Sequence, residues 1–399
     1  MTARFRALIV CLACLMFSAC AGEPIQSTGR LSDAALPSIA ADAVANRGTI
    51  VSSDVFTGVD PALSAVGTVK RALYHSTSGV DGRGTEVSGV FVVPKGRPPA
   101  GGWPVISFGH GTTGLTRDCG PSRDPYLLGY STGLTGMVKG GYAVAMTDYQ
   151  GLGSRGTHPY LEPRTAAFNM IDAVRALRIL FDSTSTTWLS EGGSQGGQAA
   201  WAANEYAKDY GAGLDLVGSV AVAPAVDLTE IAELAAAGQL SLDQIALAPL
   251  LIAGLHAVYP DLDQSLYLHG EALNQQRLLM GCSERDRGRR QDVMVRLTAD
   301  DVRPESTAAT DDLAAKLRGW ALPQRRLSAP ILVVNGAKDA LISPEWVDAA
   351  VSRACNRGAV VKHVVQPEST HTTVTLDDDS SKWVAARFRG EKAPSTCQT

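Results

Sequence analysis

A glycine-flanked serine lies between a short apolar run and an Ala-rich helical pattern, at Gly192-Gly193-Ser194-Gln195-Gly196. A strand that turns directly into a helix around a serine needs neighbours without side chains, because strand and helix approach each other closely there. Gly192 and Gly196 meet that need, and Gly197 keeps the start of the helix thin where it crosses a sheet. We therefore interpret the motif as a nucleophile elbow centred on Ser194, and a plain β–α turn is the alternative.

Patterns typical of strands and helices alternate on both sides of this motif. Two strand-like runs, Thr68–Ser76 and Thr85–Val93, flank the Asp81-Gly82 turn and predict an antiparallel hairpin. Further strands are predicted at Val105–Phe108, Tyr142–Thr147, Thr186–Leu189, Val217–Ala223, Ile331–Val334 and Val360–Val365, and helices at Thr165–Leu180, Gln195–Asp209, Pro344–Ala354 and Ser380–Phe388. A hairpin followed by repeating strand–helix units predicts an α/β fold, with a mostly parallel sheet covered by helices on both faces.

About a hundred residues before the strand at 331–334 interrupt this alternation. They carry only helical patches, at 228–237, 241–259 and 310–320. We predict a helical cap insertion over 228–326, which divides the α/β core into residues 51–227 and 327–399. A structural subdomain without a catalytic role is the alternative. The apolar stretch Ile245–Val258 would either line a tunnel or form the core of the cap.

The N-terminus has the organisation of an export signal. Arg4 and Arg6 precede an apolar stretch at 7–19 that is too short to cross a bilayer but suits the core of a signal peptide. Residues 1–20 are therefore predicted to be a signal peptide and residues 21–50, rich in Ala, Ser and Gly, a tether.

The end of that signal resembles a bacterial lipobox, Phe17-Ser18-Ala19-Cys20. We predict that Cys20 is lipidated and begins the mature chain, and cleavage by an ordinary signal peptidase at Ala19-Cys20-Ala21 is the alternative. Either way the protein is expected outside the cytoplasm. If Cys20 carries a lipid, that lipid would be the only membrane anchor of the protein and would hold it on the cell envelope. Without the lipid we expect the protein to be secreted.

Charge and cysteine content limit the kinds of site that this chain is expected to carry. The formal net charge of −4 indicates no basic surface for nucleic acid, and Asp377-Asp378-Asp379 is typical of a solvated helix start rather than a metal site. Four of the seven cysteines lie beyond the signal region, and without C-x-x-C spacing they do not indicate zinc. In an oxidising compartment they predict two disulfides, with three possible pairings among Cys119, Cys282, Cys355 and Cys397.

Activation of a serine at neutral pH requires a histidine base and a carboxylate that orients it. In this fold the chain order is serine, acid, histidine. Asp339 lies on the loop after the strand at 331–334, where the acid belongs, whereas Asp348 falls within the next helix. Only His363 and His371 follow Asp339, and His363 falls inside a strand pattern. We therefore predict Asp339 as the acid and His371, in the loop after that strand, as the base.

A second glycine-rich stretch, at 109–114, follows the strand at 105–108. Its glycines allow the backbone to turn an N–H group toward a substrate carbonyl oxygen, and the N–H of Gln195 would be the second donor of an oxyanion hole. The sequence does not decide between Thr112 and Thr113 as the first donor. A glycine turn needed only for packing is the alternative.

Taken together, these segments resemble the secretory lipase family. The resemblance rests on Gly109-His110-Gly111-Thr112-Thr113-Gly114, Asp118-Cys119-Gly120-Pro121-Ser122, Thr147-Asp148-Tyr149-Gln150-Gly151-Leu152-Gly153, Gly193-Ser194-Gln195-Gly196-Gly197, Asn335-Gly336-x-x-Asp339 and His371. It extends over about residues 50 to 397 and implies an α/β-hydrolase core with a helical cap inserted before the acid-bearing strand.

The resemblance also implies how the cysteines pair, Cys119 with Cys282 and Cys355 with Cys397. One departure concerns the oxyanion loop, where family lipases carry an acidic side chain and this chain has Thr112-Thr113. A small-acyl esterase, rather than a true long-chain lipase, is therefore kept as an alternative.

The expected activity is the hydrolysis of carboxylic esters, with a small-molecule or lipid ester as substrate. Ser194 attacks, His371 transfers the proton, Asp339 orients the imidazole, and water releases the acyl group. Two alternatives are a peptidase or acyltransferase with the same triad, and a non-catalytic binding lipoprotein, which the presence of all three residues disfavours. The chemistry needs no metal or organic cofactor and none is indicated, and neither oligomeric state nor acyl chain length follows from the sequence.

Overall fold

A computed structural model describes residues 33–397 of the chain. The predicted signal peptide at 1–20, the lipidation site Cys20 and the first part of the predicted tether lie outside the described residues. The folded body begins at Asp33.

The core of this body is one nine-stranded sheet with the order β1-β2-β3-β5-β4-β6-β7-β8-β9. The strands are β1 Ile50–Val55, β2 Gly67–Thr77, β3 Gly84–Pro94, β4 Trp103–Gly109, β5 Ala143–Thr147, β6 Thr184–Gly193, β7 Asp215–Val222, β8 Ile331–Gly336 and β9 Val361–Gln366. The first three strands join by antiparallel pairing, whereas the other six run parallel to one another. The carboxyl ends of those six strands therefore meet along one edge, where loops bring distant residues together.

Helices cover both faces of the sheet. They are α1 Ala41–Asn46, α2 Pro61–Val66, α3 Ser131–Lys139, α4 Pro163–Leu180, α5 Gln195–Tyr210, α6 Ile231–Ala237, α7 Leu242–Val258, α8 Gly270–Asn274, α9 Gln276–Leu279, α10 Arg287–Arg296, α11 Thr307–Arg318, α12 Pro344–Asn356 and α13 Asp378–Phe388. Because side chains alternate along a strand, β5 buries Ala143 and Ala145 in the cluster that contains α4, α5 and α12, and Val144 and Met146 in the cluster that contains α3. The predicted mostly parallel α/β fold with two helical layers is confirmed.

One difference from the sequence prediction concerns the tether. Within residues 21–50, α1 is a helix, and the backbone N–H of Ala34 donates to the carbonyl of Gln324 at 3.1 Å. β1 begins at Ile50 and pairs with β2, so from Asp33 onward this segment packs on the folded body. It has few buried apolar residues of its own, which is why its composition resembles a linker.

Helices α6 to α11 lie between β7 and β8, in the region predicted as the helical insertion. α7 begins with a capping box, in which Ser241 and Gln244 each satisfy the other's backbone N–H. Among the described residues no single helix is long and apolar enough to span a membrane. α6 and α7 together reach that length and apolarity, but they are bent by 117° where they meet.

Candidate active site

Ser194 lies in the turn between β6 and α5, at the carboxyl edge of the sheet. Its backbone has φ 56° and ψ −117°, a left-handed conformation that is strained for a residue with a side chain. A Cβ atom at Gly196 would overlap the carbonyl oxygen of Gly109, and one at Gly192 would overlap the carbonyl oxygen of Gly196. The two glycines of the motif are therefore required by the close approach of β4, β6 and α5.

The side chains of His371 and Asp339 lie in line with the serine hydroxyl. His371 Nε2 is 2.9 Å from Ser194 Oγ, and His371 Nδ1 is 2.8 Å from Asp339 Oδ2. Asp339 is buried, and its other oxygen accepts the backbone N–H groups of Leu341 and Ile342, both at 2.9 Å. These bonds fix the carboxylate, which in turn holds the imidazole with its Nδ1 proton toward the aspartate and Nε2 free to accept from the serine.

The loops after β8 and β9 contact each other directly. Gly336 allows this contact, since a Cβ atom there would overlap the carbonyl oxygen of Ser369, and the N–H of Lys338 donates to the same oxygen at 2.9 Å. The other downstream histidine, His363, lies on β9 and its Nε2 is 2.7 Å from Asn335 Oδ1. The structure therefore brings His371, and not His363, to Ser194.

The segment after β4 contributes Thr112 to the same pocket as Ser194, whereas the Thr113 hydroxyl points away and donates to the carbonyl of Cys119 at 2.8 Å. The N–H of Gly111 donates to the Tyr130 hydroxyl at 2.8 Å. Gln195 opens α5, where the first N–H groups of a helix have no partner within the helix. Of these two threonines, only Thr112 lines the pocket that contains Ser194.

The side chains of Thr112 and Gln195 are both held by one short segment before α4. The hydroxyls of Tyr160 and Thr112 are 2.6 Å apart, and His158 Nε2 is 2.9 Å from Gln195 Nε2. His158 Nδ1 lies 2.9 Å from the carbonyl oxygen of Gln150, so Nδ1 carries the proton and Nε2 accepts from the glutamine amide. Burial lowers the pKa of His158 to about 3, and the ring therefore stays neutral.

Ser194 and His371 open into a pocket of about 710 Å³. The insertion supplies part of its wall through α7, α9 and α10, with Ala246, Leu247, Leu250, Leu279, Arg290 and Met294. Other residues of the Ile245–Val258 stretch are buried in the packing of the insertion, so this stretch both lines the pocket and forms a core. Within residues 33–397 no three metal-ligating side chains converge, and the pocket wall is mainly apolar.

The sequence model of the secretory lipase family matches residues 130–396, about two thirds of the chain. The chain belongs to the secretory lipase family. Its activity class is that of a carboxylic ester hydrolase. Comparison of the sequence with the curated proteins gives no match.

Solved structures of two lipolytic enzymes have a similar fold. Candida antarctica lipase A in its closed state is 16% identical, with a TM-score of 0.72 over 90% of this chain and 86% of that chain. The rice cell wall degrading esterase LipA from Xanthomonas oryzae is 20% identical, with a TM-score of 0.65 over 86% of this chain and 98% of that chain.

A third similar structure is a putative hydrolase from Legionella pneumophila, 19% identical, with a TM-score of 0.65 over 81% of this chain and 93% of that chain. At these identities the similarities establish the α/β-hydrolase fold, and the family assignment rests on the sequence model.

The cysteines pair as the family resemblance implies. Cys119 is joined to Cys282, which connects the loop after β4 to the insertion, and Cys355 is joined to Cys397, which connects α12 to the C-terminal segment. The N–H of Leu115 also donates to the carbonyl of Met280 at 2.8 Å, beside the first disulfide. The insertion is therefore fixed to the core at the loop after β4.

Three polar residues at this site have no sequence motif that indicates them. His158 and Tyr160 lie in a loop, where histidine and tyrosine are common without a role at a site. Glu191 lies in β6, two residues past the end of the predicted strand Thr186–Leu189, so the sequence pattern does not place it in a buried strand. Its burial depends on contacts that only the tertiary structure provides.

Proposed function

We propose that this chain is an exported serine esterase or lipase that acts through an acyl-enzyme on Ser194. The observation that carries the proposal is the unbroken hydrogen-bonded series from Ser194 Oγ through His371 to Asp339, with both bonds between 2.8 and 2.9 Å. Family membership gives the reaction class, which is the hydrolysis of carboxylic esters. The geometry supports Ser194, His371 and Asp339 as the residues that perform it.

The proposed reaction begins when Ser194 Oγ attacks the ester carbonyl carbon and passes its proton to His371 Nε2. The carbonyl oxygen becomes an oxyanion, for which the backbone N–H of Gln195 and a donor at Thr112 are the proposed ligands. His371 then donates the proton to the leaving alcohol, the C–O bond breaks and the acyl group remains on Ser194. Water attacks the acyl-enzyme with His371 as base, which releases the acid and restores the serine.

We further propose that the insertion acts as a cap that shapes the substrate site. Ser241 Oγ donates to the carbonyl of Ala340 at 2.7 Å, and Gln244 Nε2 donates to that of Leu341 at 3.2 Å. These bonds connect the start of α7 to the loop that carries Asp339, while Leu247 and Leu250 of the same helix line the pocket. The insertion thus packs on the acid loop and supplies an apolar wall suited to an acyl chain.

Export is supported by three independent features. The family is one of secretory enzymes, the described residues contain two disulfides, and the N-terminal sequence has the pattern of a lipoprotein signal. The lipid on Cys20 remains a proposal from sequence alone. It is tested by intact mass of the membrane-extracted protein, in which Cys20→Ser is expected to lose the mass of the acyl groups.

The function is tested with p-nitrophenyl esters from acetate to palmitate against aminoacyl-p-nitroanilides, using wild type and Ser194→Ala. We expect ester hydrolysis by wild type only, with little amide cleavage, and the chain length of the best ester defines the acyl preference. Faster cleavage of the anilides would favour a peptidase, and ester hydrolysis that survives Ser194→Ala would contradict the proposed nucleophile.

A further inference from the structure

Glu191 is a buried acidic residue in the wall of the substrate pocket that the proposed mechanism does not use. It lies in β6, three residues before Ser194, and only 8% of its surface is exposed. Its carboxylate has no hydrogen-bond partner or counter-ion among residues 33–397, and what remains exposed faces the pocket that also contains Ser194 and His371.

The sheet register shows what surrounds this carboxylate. Glu191 is the Cα partner of Phe108 on β4 and of Val220 on β7, and neighbours in register on adjacent parallel strands share a face of the sheet. The same face carries Leu189, two residues earlier on β6. The carboxylate therefore occupies a position that an apolar side chain would fill at no electrostatic cost.

An unpaired carboxylate in such a wall is unfavourable, because it exchanges hydration for contact with hydrocarbon. Burial accordingly raises the pKa of Glu191 to about 7. The Glu191 carboxylate is nine-tenths buried, has no partner and is directed into the substrate pocket. A ligand that supplies a hydrogen-bond donor would give it the partner that it lacks.

We propose that Glu191 binds a hydroxyl group of the substrate, so that the enzyme selects hydroxyl-bearing esters over plain alkyl esters. This inference rests on the proposed function, since it names the substrate class of the same site. The hydroxyl belongs either to the alcohol portion, as in a monoester of a polyhydric alcohol, or to the acyl portion, as in a hydroxyacyl ester.

A hydroxyl fits this site better than an ammonium group. A hydroxyl donates to the ionised carboxylate and accepts from the protonated acid, so it binds in both states. A cation would need the ionised form alone and would lose its own hydration beside Phe108 and Val220. The other charged groups at the pocket, Asp243 and Arg290, lie on the insertion, where Asp243 is exposed and Arg290 donates to the carbonyl of Ser283 at 3.0 Å.

The test compares ester pairs that differ only in hydroxyl groups. Glycerol 1-monobutyrate against propyl butyrate probes the alcohol portion, and ethyl 3-hydroxybutyrate against ethyl butyrate probes the acyl portion. The readout is the ratio of kcat/KM within each pair, for wild type, Glu191→Gln and Glu191→Leu. The exposed Glu86 on β3 provides the matched controls Glu86→Gln and Glu86→Leu.

We expect wild type to prefer the hydroxylated member of one pair, and Glu191→Leu to lower that ratio by about tenfold. Glu191→Gln keeps a hydrogen-bonding amide and is expected to lower it by less than about threefold. The pair that responds identifies the portion of the substrate that carries the hydroxyl. Glu191→Met is a second apolar variant with the same expectation, in case the leucine does not fold.

The inference is overturned if, in both ester pairs, the kcat/KM ratios of Glu191→Leu and Glu191→Met stay within twofold of the wild-type ratio. A second comparison uses butyrylcholine and its neutral isostere 3,3-dimethylbutyl butyrate. If wild type prefers butyrylcholine, and both Glu191→Leu and Glu191→Gln abolish that preference, the site binds a cation and the inference is also overturned. Failure of the proposed function is distinct, since folded wild type would then hydrolyse none of these esters.

Discussion

The Nε2 atom of His371 lies 2.9 Å from the Oγ atom of Ser194, although the two residues are 177 positions apart in the chain. The contact exists because β6 and β9 end at the same edge of the sheet, and the turn after each strand projects its side chain there. We expect catalysis to depend on that distance and on the Asp339 carboxylate that binds the other side of the imidazole.

Loss of either partner of this contact is expected to remove nearly all catalysis. Ser194→Ala and His371→Ala should each lower kcat by about 10⁴–10⁶-fold, and the double variant should be little worse, because the two groups act as one unit. Steady-state kinetics on a p-nitrophenyl ester measure this, with the exposed Ser381→Ala as the control. Additive losses in the double variant would contradict a shared mechanism.

Asp339 is expected to act through the orientation of the imidazole. Asp339→Asn should lower kcat by about 10⁴-fold, because an amide at this position favours the wrong tautomer of His371. The matched control is Asp348→Asn on α12, since Asp348 lies 3.7 Å from His363 and not near the serine. Equal activity of the two variants would show that the acid has been assigned to the wrong residue.

His158 is expected to be a positioning residue, because its ring accepts a hydrogen bond from the Gln195 side chain at 2.9 Å. His158→Phe should lower kcat by about 10–100-fold with little change in KM, since a displaced N–H of Gln195 weakens transition-state binding. His158→Asn keeps an acceptor and should lose less. The pKa of about 3 predicts no pH dependence of this effect at neutral pH, and a rise in KM alone would indicate a role in substrate binding instead.

Glu191 is expected to make the protein less stable at higher pH. Burial raises its folded-state pKa from 4.5 to about 7, so its favourable contribution is complete below pH 4.5 and is lost as the pH rises through 7. Between about pH 5 and about pH 8, wild type should lose roughly 3 kcal/mol of unfolding free energy relative to Glu191→Gln. Urea denaturation at the two pH values measures the difference, and parallel profiles would argue against a buried, unpaired carboxyl.

The disulfide between Cys119 and Cys282 is expected to stabilise the position of the insertion. It closes a loop of 163 residues, so loop-closure entropy predicts that the Cys119→Ser/Cys282→Ser variant loses about 5 kcal/mol of unfolding free energy in urea denaturation. Cys355→Ser/Cys397→Ser is the matched control, with a shorter loop of 42 residues and a smaller expected loss. Four free thiols in the exported wild-type protein would remove the basis of this prediction.

Sequence patterns predict the strands from β2 to β9. β2 and β3 are recognised as strand-like runs on either side of a turn, and the parallel strands β4 to β9 as short apolar runs bounded by glycine and polar turns. The patterns also predict which serine, acid and histidine meet, since chain order along the sheet limits the choice. β1 is missed because five of its six residues are exposed and show no alternation. α10 is missed because it buries only Val293 and is otherwise dominated by charged residues.

The polar contacts around the site cannot be predicted from the sequence, for a different reason. Whether His158 binds Gln195, or Glu191 is left without a partner, depends on how loops and strands pack in three dimensions. Neither residue belongs to a motif with fixed spacing, and burial of a single polar side chain has no periodic signal.

Whether Ser194 is an activated nucleophile is tested by the site of labelling with a fluorophosphonate, a reagent that reacts with activated serines. After proteolysis and mass spectrometry, we expect one adduct, on the peptide that contains Ser194, and none in folded Ser194→Ala or His371→Ala. Folded wild type that takes up no label, or an adduct on another serine, would contradict that expectation.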